Sequence, residues 1–369
     1  MFDAIAIGGG LAGAAFALEL ARNGARVLVL ERTREATLKV CGDFLSAEAL
    51  GLLAHLGVDT EALGASPVER LTLAAGNRAA HAGLPFRAAG LSRLLLDETL
   101  LQIAGVSGAV VERGVGVTGL APGPAGVVVE AGGRRYAAAA VCLASGKHNL
   151  RGWPRDPGTV TAFKMQFALT PAAAADLRRR VQLVLFEGGY VGASMVEADL
   201  ATVCWQLDAE ALTRLGADWR GQLDRISVGS ALLGDLLQGS RPVTPRPAAI
   251  SGLPFGYVRR SAVAPSVYPA GDQLAVIPAF TGDGTSIALA SGIVAARAVL
   301  AGEGGDIFQV RFASALRRQF ALAKGVSALF RRRATRHAAV GAMMLLPAVA
   351  TTLARATRLG GLGRSALQI

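Results

Sequence analysis

Phe2-Asp-Ala-Ile-Ala-Ile7-Gly8-Gly9-Gly10-Leu11-Ala12-Gly13 opens the chain, and the reading of the fold turns on it. The segment up to Ile7 is a short apolar run, the pattern of a strand buried on both faces. Three glycines follow, then Leu11-Ala12-Gly13 and an Ala- and Leu-rich stretch to Arg22 with the composition of a helix. Asn23-Gly24 ends that helix, Gly24 suiting a left-handed cap. Val27-Leu28-Val29-Leu30 is a second buried strand, closed by Glu31-Arg32. In this β-α-β unit Gly8 serves the tight turn, Gly10 lets backbone approach a pyrophosphate, and Gly13 lets helix pack closely on sheet. The helix start at Leu11-Ala12 offers N–H groups and a positive dipole end to phosphates. Glu31, with Arg32 beside it, is placed to accept from a ribose hydroxyl. The unit reads as a dinucleotide site, with NAD and FAD both open at this point.

Composition narrows the class. The 369 residues are 52% hydrophobic and 18% charged, which excludes a disordered chain, and the 46 glycines follow no triplet period. The net charge of +11 is not spread evenly. Residues 311–369 hold eleven basic and no acidic residues, and residues 1–310 are balanced. Phe312, Leu316, Phe320, Ala323, Val326 and Phe330 recur at helical spacing, with Arg317, Arg318, Lys324 and Arg331 on the other side. No aromatic residues interleave with the basic ones for base stacking, so no nucleic acid partner is expected. Two readings stand for 311–369: a helical layer with a solvated basic face, or peripheral contact with an anionic membrane.

Cys41, Cys142 and Cys204 lie far apart and odd in number, and the four histidines are scattered, so neither a disulfide framework nor a metal site is expected. No apolar run reaches spanning length, and the apolar N-terminus, carrying Asp3, reads as a strand rather than a signal. The expected location is reduced cytoplasm, or the inner face of a membrane if the basic segment binds lipid. The oligomeric state stays open.

Further along, Ser46 is placed to cap a helix over 46–57, and Ser92–Ile103 has an amphipathic helical pattern. Strand patterns cover about 68–87, 108–119, 126–131 and 137–144, and residues 160–210 are strand-rich. Residues 210–237 and about 284–301 read as helical. The αβ segments at both ends bracket a strand-rich middle, which an interleaved layout explains better than sequential domains. The expected fold class is α/β: a Rossmann-like nucleotide-binding domain (1–67, 88–160, 262–310) interleaved with a strand-rich α+β substrate domain (68–87, 161–261). A basic C-terminal helical segment (311–369) follows.

Tyr268-Pro269-Ala270-Gly271-Asp272, continued through Pro278 to Thr281-Gly282-Asp283-Gly284-Thr285, resembles the second signature of the FAD-binding aromatic hydroxylase (p-hydroxybenzoate hydroxylase-like) superfamily. The resemblance favours FAD over NAD and implies a nucleotide domain of the glutathione-reductase type. It implies that Asp272 holds the ribityl chain, and that the turn at Gly282–Gly284 directs its amides at the flavin's pyrimidine edge. Gly271, Pro278, Asp283 and Thr285 belong to the same contact region, and Arg93 in Ser92-Arg93-Leu94 would lie near phosphate and ribityl groups. A helix N-terminus suits the negative charge of a reduced flavin. The family's middle motif, Ala-Asp-Gly, reads Ala144-Ser145-Gly146 here, so Gly146 remains and Ser145 replaces the acid.

Lys39-Val40-Cys41-Gly42-Asp43-Phe44 is similar to a loop of the geranylgeranyl reductase branch that passes the isoalloxazine ring. This makes Cys41, Gly42 and Asp43 active-site candidates. Tyr190 joins them from a substrate-domain strand where prenyl reductases carry Tyr-x-Trp-x-Phe-Pro. Here that stretch is Tyr190-Val191-Gly192-Ala193-Ser194-Met195, which implies a wider or differently shaped cavity. Trp205 is either a pocket residue or plain core. The Gly-Trp-x-Trp-x-Ile-Pro signature of flavin-dependent halogenases is missing, so halogenation is not expected. The resemblance implies an FAD-dependent oxidoreductase, first of the monooxygenase type, acting on a lipophilic aromatic, polyketide or isoprenoid metabolite, with NADPH or NADH as electron donor. Alternatives are a reductase of a prenyl or conjugated C=C bond and a non-catalytic flavin- or lipid-binding protein.

Overall fold

The computed structural model describes residues 1–124, 126–356 and 358. Strand β1 (Phe2–Ile7) leads into α1 (Leu11–Arg22) and back into β2 (Val27–Glu31). The two strands pair in parallel, Ala4 opposite Val27 and Ile7 opposite Leu30. Next come β3 (Phe44–Leu45), α2 (Ala47–His55), the hairpin β4 (Ser66–Ala75) and β5 (Arg78–Gly90), α3 (Arg93–Val106) and β6 (Val110–Arg113). A meander follows: β7 (Val117–Gly123), β8 (Gly126–Ala131) and β9 (Arg134–Leu143).

The middle of the chain supplies β10 (Val160–Ala168), α4 (Pro171–Leu177), β11 (Arg180–Phe186), β12 (Gly189–Met195) and β13 (Leu200–Leu207). Helices α5 (Ala209–Leu215), α6 (Trp219–Val228) and α7 (Ala231–Leu237) precede β14 (Arg241–Pro242) and β15 (Ala248–Leu253). The chain then returns through β16 (Tyr257–Val258), β17 (Val267–Pro269), β18 (Ala275–Val276) and α8 (Gly284–Leu300). Helices α9 (Gly305–Ala315), α10 (Arg317–Arg331), α11 (Arg333–Leu345) and α12 (Pro347–Ala356) complete it.

Two large sheets result. The first runs β6-β2-β1-β9-β8-β7, with β17 also on β9; the second runs β14-β10-β13-β12-β11-β4-β5-β3, with β15 also on β10. The second sheet therefore draws on residues 44–45, 66–90 and 160–253, against the 68–87 and 161–261 expected for the substrate domain. Ser46 caps α2 as its position predicts, its Oγ accepting from the Ala49 N–H at 3.3 Å.

Close packing of backbone explains the small residues of the first domain. A Cβ on Gly292 of α8 would lie 2.2 Å from the Ala12 carbonyl oxygen of α1, so the two helices cross where neither presents bulk. Around that crossing lies the main core, with Phe16, Leu18, Ile287, Ile293 and Phe308 buried.

The second sheet is two-faced, as the period of two along a strand requires. Phe163, Met165, Phe167, Val203, Trp205 and Leu207 face α4–α7 and form a separate core. Trp205 belongs there: its ring stacks on Phe163 at 5.1 Å and its Nε1 donates to Gln222 Oε1 at 2.8 Å. The opposite face carries Leu73, Leu183, Gly192, Cys204 and Lys164 in one cross-strand row.

The helical spacing over 312–330 divides between α9 and α10, which meet at Leu316. Phe312, Leu316, Phe320 and Ala323 are buried, and Arg317, Arg318, Lys324 and Arg331 are exposed. This part of the basic segment is a packed layer. Its last residues, Arg364 among them, lie outside the described residues. Among the described residues no helix is long and apolar enough to cross a membrane.

The α1–α8 crossing makes a direct demand. Gly292→Val should lower unfolding free energy by about 2 kcal/mol or more, since overpacking against backbone admits little relief; urea denaturation of the two proteins measures it.

Candidate active site

One cavity of about 870 Å³ joins the first glycine turn to the two-faced sheet. At its first end it is lined by Gly8, Gly10, Leu11, Ala12, Glu31 and Arg32. Gly8 adopts φ +101°, and a Cβ there would meet the Ala144 carbonyl at 2.6 Å. Gly13 does not face the cavity. It sits beneath the turn, where a Cβ would come within 1.9 Å of the Gly8 carbonyl oxygen, so its role is to seat the helix. The α1 start behind this turn holds N–H groups with no acceptor inside the helix.

Glu31 is buried, and both carboxylate oxygens are engaged. Oε2 accepts from the Gly9 N–H at 2.8 Å, and Oε1 accepts from the Thr33 N–H at 2.9 Å and its hydroxyl at 2.8 Å. Burial pushes its carboxyl up, but these N–H groups and the charge of Lys39 outweigh it and hold it below the ordinary value. Glu31 thus braces the glycine turn while lining the cavity. Arg32 lies 2.6 Å from His148 Nε2. Burial, reinforced by Arg32, Arg155 and Lys147, holds His148 below its usual pKa, which favours the neutral ring.

Cations gather over Gly10. A Cβ there would stand 3.6 Å from both Arg93 Nη2 and Lys39 Nζ. Both cations are anchored by Asp97: Arg93 donates at 2.7 and 2.9 Å and Lys39 lies at 2.8 Å. Burial pushes the Asp97 carboxyl up, and these two charges return it below its ordinary value. Lys147 donates to the Val40 carbonyl at 2.6 Å and lies 3.8 Å from Asp272 Oδ2. Arg155 ties the two nearby turns together, donating to Asn149 Oδ1 (2.9 Å), the Lys147 carbonyl (2.6 Å) and the Asp272 carbonyl (2.8 Å). Gln273 adds bonds to the carbonyls of Gly146 and His148. Ser145, standing where the related motif has an acid, turns its hydroxyl to the His148 carbonyl at 2.8 Å.

Gly146, Gly271, Asp272, Gly282, Gly284 and Thr285 line the next stretch, where α8 begins. Pro278 does not; Ile277 and Ala279 line the wall on either side, and its carbonyl accepts from the Thr281 hydroxyl at 2.9 Å. Asp283 also faces away, because the C-terminal helices claim it. It is fully buried; Oδ2 accepts from Gln319 Nε2 at 2.7 Å, and Oδ1 lies 2.9 Å from Arg358 Nη1. Burial pushes its carboxyl up to about 7 against the opposing pull of Arg358.

The far end is apolar. Leu71, Leu73, Leu183 and Tyr190 form one wall, Phe86 and Phe280 another, and Phe330, Ala342 and Met343 of the C-terminal helices close it. Gly192 is the gap in the sheet wall, where a Cβ would touch Leu183 at 3.4 Å and Tyr190 at 3.7 Å. Burial raises the Tyr190 hydroxyl and pushes the Cys204 thiol up to about 12, so both keep their protons at neutral pH. Cys41 and Gly42 line the passage between the two ends, but Asp43 does not: its side chain is buried among α3, β10 and β13.

Residues 1–131 match the family model described as FAD binding domain. That match spans the N-terminal third of the chain. No curated protein matches the chain. Among solved structures, the flavin-dependent brominase Bmp2 aligns with TM-score 0.79 at 14% identity, over 98% of this chain and 93% of that one. The myxobacterial chondrochloren halogenase CndH aligns at 0.76 and 19% identity, over 99% and 96%. The halogenase PltM, in complex with phloroglucinol and FAD, aligns at 0.73 and 16%, over 90% and 77%. At these identities the likenesses establish the fold.

The residues fit FAD. Gly10 leaves a cradle bare of side chain beneath two cations, and the cavity continues past Asp272 to the open start of α8 at Gly284. Lys39, Arg93 and Lys147 would meet the pyrophosphate, and Asp272 the ribityl hydroxyls. Lys39, Lys147 and Arg155 carry no signal in sequence, where a lone Lys or Arg reads as surface.

The FAD-binding domain's link to the C-terminal segment carries a pH signature. An unfolded Asp releases its proton at about 3.9. Asp283 holds its own to about 7 in the folded chain, so its contribution favours the fold at low pH and is lost as pH rises through 7. Arg358→Met removes the opposing cation and enlarges that loss. Thermal melts should show a deficit of about 2–4 kcal/mol near pH 8, falling to about half or less near pH 5.5, where Asp283 is neutral.

Proposed function

We propose that this FAD-dependent oxidoreductase is of the monooxygenase type and acts on a lipophilic metabolite of aromatic, polyketide or isoprenoid character. The observation that supports this most is the continuity of the cavity from the cation-rich glycine turn to an apolar chamber closed by α10 and α11. FAD, when bound, supplies two-electron redox chemistry and, once reduced, reactivity toward oxygen. The chain's own part is placement. Lys39, Arg93 and Lys147 hold the charged end, and the α8 start presents amides and a positive dipole end. The leucines of β4 and β11, with Phe330 and Met343, keep water from the chamber. Tyr190, protonated by burial, can donate one hydrogen bond to a carbonyl or hydroxyl on the substrate. NADPH or NADH is the proposed electron donor.

A second reading is reduction of a conjugated or prenyl C=C bond, for which Tyr190 would hold a polar group of the substrate by a hydrogen bond and FAD, when bound, would supply the reducing equivalents. The names of the solved relatives raise halogenation, which the missing Trp-x-Trp signature disfavours for this chain. One experiment separates these. FAD-loaded protein is reduced and given candidate phenols, polyketides and prenyl lipids, with and without oxygen and bromide, and products are read by mass. Gain of one oxygen atom only under air supports oxygenation. Gain of two hydrogens without air replaces it with reduction, and a brominated product with halogenation. Purified protein that never takes up FAD would remove all three.

We also propose peripheral membrane contact through 311–369, on the exposure of Met344, Leu345 and Leu346 beside Met343, which lines the chamber. Co-sedimentation with vesicles containing anionic lipid, lost in Leu345→Ser/Leu346→Ser, is the expected result; binding independent of anionic lipid would remove it.

A further inference from the structure

Lys164 has no exposed surface, and Asp43 has 1%. Lys164 lies on β10 opposite Cys204, on the sheet face that carries Gly192 and Leu183 toward the chamber. Its Nζ is 2.5 Å from Asp43 Oδ2, an ion-pair distance. The same carboxylate accepts from the Thr202 hydroxyl of β13 at 2.7 Å and from the Arg93 N–H at the start of α3 at 3.1 Å. The Asp43 carbonyl accepts from the Leu91 N–H at 3.0 Å. Asp43 thus joins the FAD-binding domain to two neighbouring strands of the second sheet, β10 and β13.

The joint holds a special backbone conformation. Asp43 sits at φ +54°, in the left-handed region that, apart from Gly, mainly Asn and Asp adopt. Immediately before it, Cys41 and Gly42 line the cavity between its two ends. Immediately after it, Phe44 lies against Gly282, where a Cβ would meet the Phe44 ring at 2.6 Å. A buried lysine is a poor way to gain stability, since desolvation of both charges offsets their attraction. Its location accounts for it better. We infer that Lys164 is a positioning residue, which through Asp43 fixes the 41–44 loop between the cofactor end and the substrate chamber. The flavin part of this inference rests on the proposed function; the fixing of the loop does not.

The test uses the full chain in four forms: parent, Lys164→Arg, Lys164→Met and Lys164→Met/Asp43→Asn. The double variant removes both charges, so it avoids the unpaired buried carboxylate that can unfold the single one. Alkylation of Cys41 by a maleimide, resolved from Cys142 and Cys204 by peptide mass spectrometry, reports the loop without FAD. FAD affinity, the flavin's visible spectrum and its midpoint potential report the cofactor side. We expect the double variant to label Cys41 about tenfold faster or more, as loss of hydrogen bonds to a charged group implies. It should also bind FAD more weakly with a shifted spectrum, and Lys164→Arg should restore much of the parental behaviour. Thr202→Val, which removes one tie and no charge, should move the same readouts in the same direction by less, and it decides the matter if neither Met variant folds. Parental labelling, spectrum and FAD affinity in a folded double variant, or in Thr202→Val where that stands in, overturn the inference. If the parent binds no FAD, the proposed flavin reading fails and the Cys41 rate alone judges the loop.

Discussion

The structure depends on a backbone contact that admits no side chain. Gly13 rests against the Gly8 carbonyl, and its neighbour Ala12 meets Gly292 of α8 at a spacing where a Cβ on Gly292 would be within 2.2 Å of the Ala12 carbonyl oxygen. Because α1 is pinned on both sides, its N-terminus and the start of α8 open into the same cavity. Two helix N-termini converging on one space create a site for negative charge before any side chain is considered. The rest of the first domain reads as support for that arrangement. Glu31 braces the glycine turn from below, and Arg155 and Gln273 fasten the turn at 146–149 to that at 271–273.

Buried carboxylates make the remaining long-range joints, each answered by a cation from elsewhere in the chain. Asp97 takes Lys39 in addition to its own helix's Arg93, Asp43 takes Lys164, Asp283 takes Arg358, and Glu19 takes Arg297. Such pairs contribute little net stability when desolvation is counted, yet losing one partner is severe. They therefore act as constraints on geometry. The basic C-terminal segment takes part in this. Arg358 reaches Asp283, and the buried Arg336 donates to the Phe186 carbonyl at 3.1 Å at the end of β11. Some of the charge that looks like a surface property in the composition is structural cement.

Legibility in the sequence followed the range of the interaction. The β-α-β unit, the Ser46 cap and the seam of Phe312, Leu316, Phe320 and Ala323 are set by neighbours a few residues away, and periodicity and capping rules read them. The break at Leu316 between α9 and α10 was not legible, because the apolar spacing continues through it. Asp43 and Asp283 turn away from the cavity for a different reason. Each stands in a motif whose neighbours do line the cavity, but Thr202 is 159 residues from Asp43 and Gln319 is 36 from Asp283. Whether a carboxylate faces a cavity or a distant partner is decided by tertiary contacts that local pattern does not encode. Lys164 shows the same limit from the other side, since an isolated lysine within Val160–Ala168 reads as the polar position of an edge strand.

The chamber's shape follows from where bulk is withheld. On the sheet wall the row Leu73, Leu183, Gly192, Cys204 passes from two large side chains to none and then a small one, so the surface dips at Gly192 while Tyr190 rises beside it. Opposite that dip stand Phe330 and Met343 from α10 and α11, which share a small apolar cluster with Leu73 and Leu185. The wall and its cover therefore belong to one packed unit. Asp283, at the start of α8, is gripped by Gln319 from α10 and by Arg358 from beyond α12, so the cover is also tied to the helix that begins at the cofactor end. Displacing α10–α12 would expose apolar wall and strand a buried carboxylate at once. Closure of the chamber and integrity of the α8 N-terminus are, on these contacts, a single equilibrium.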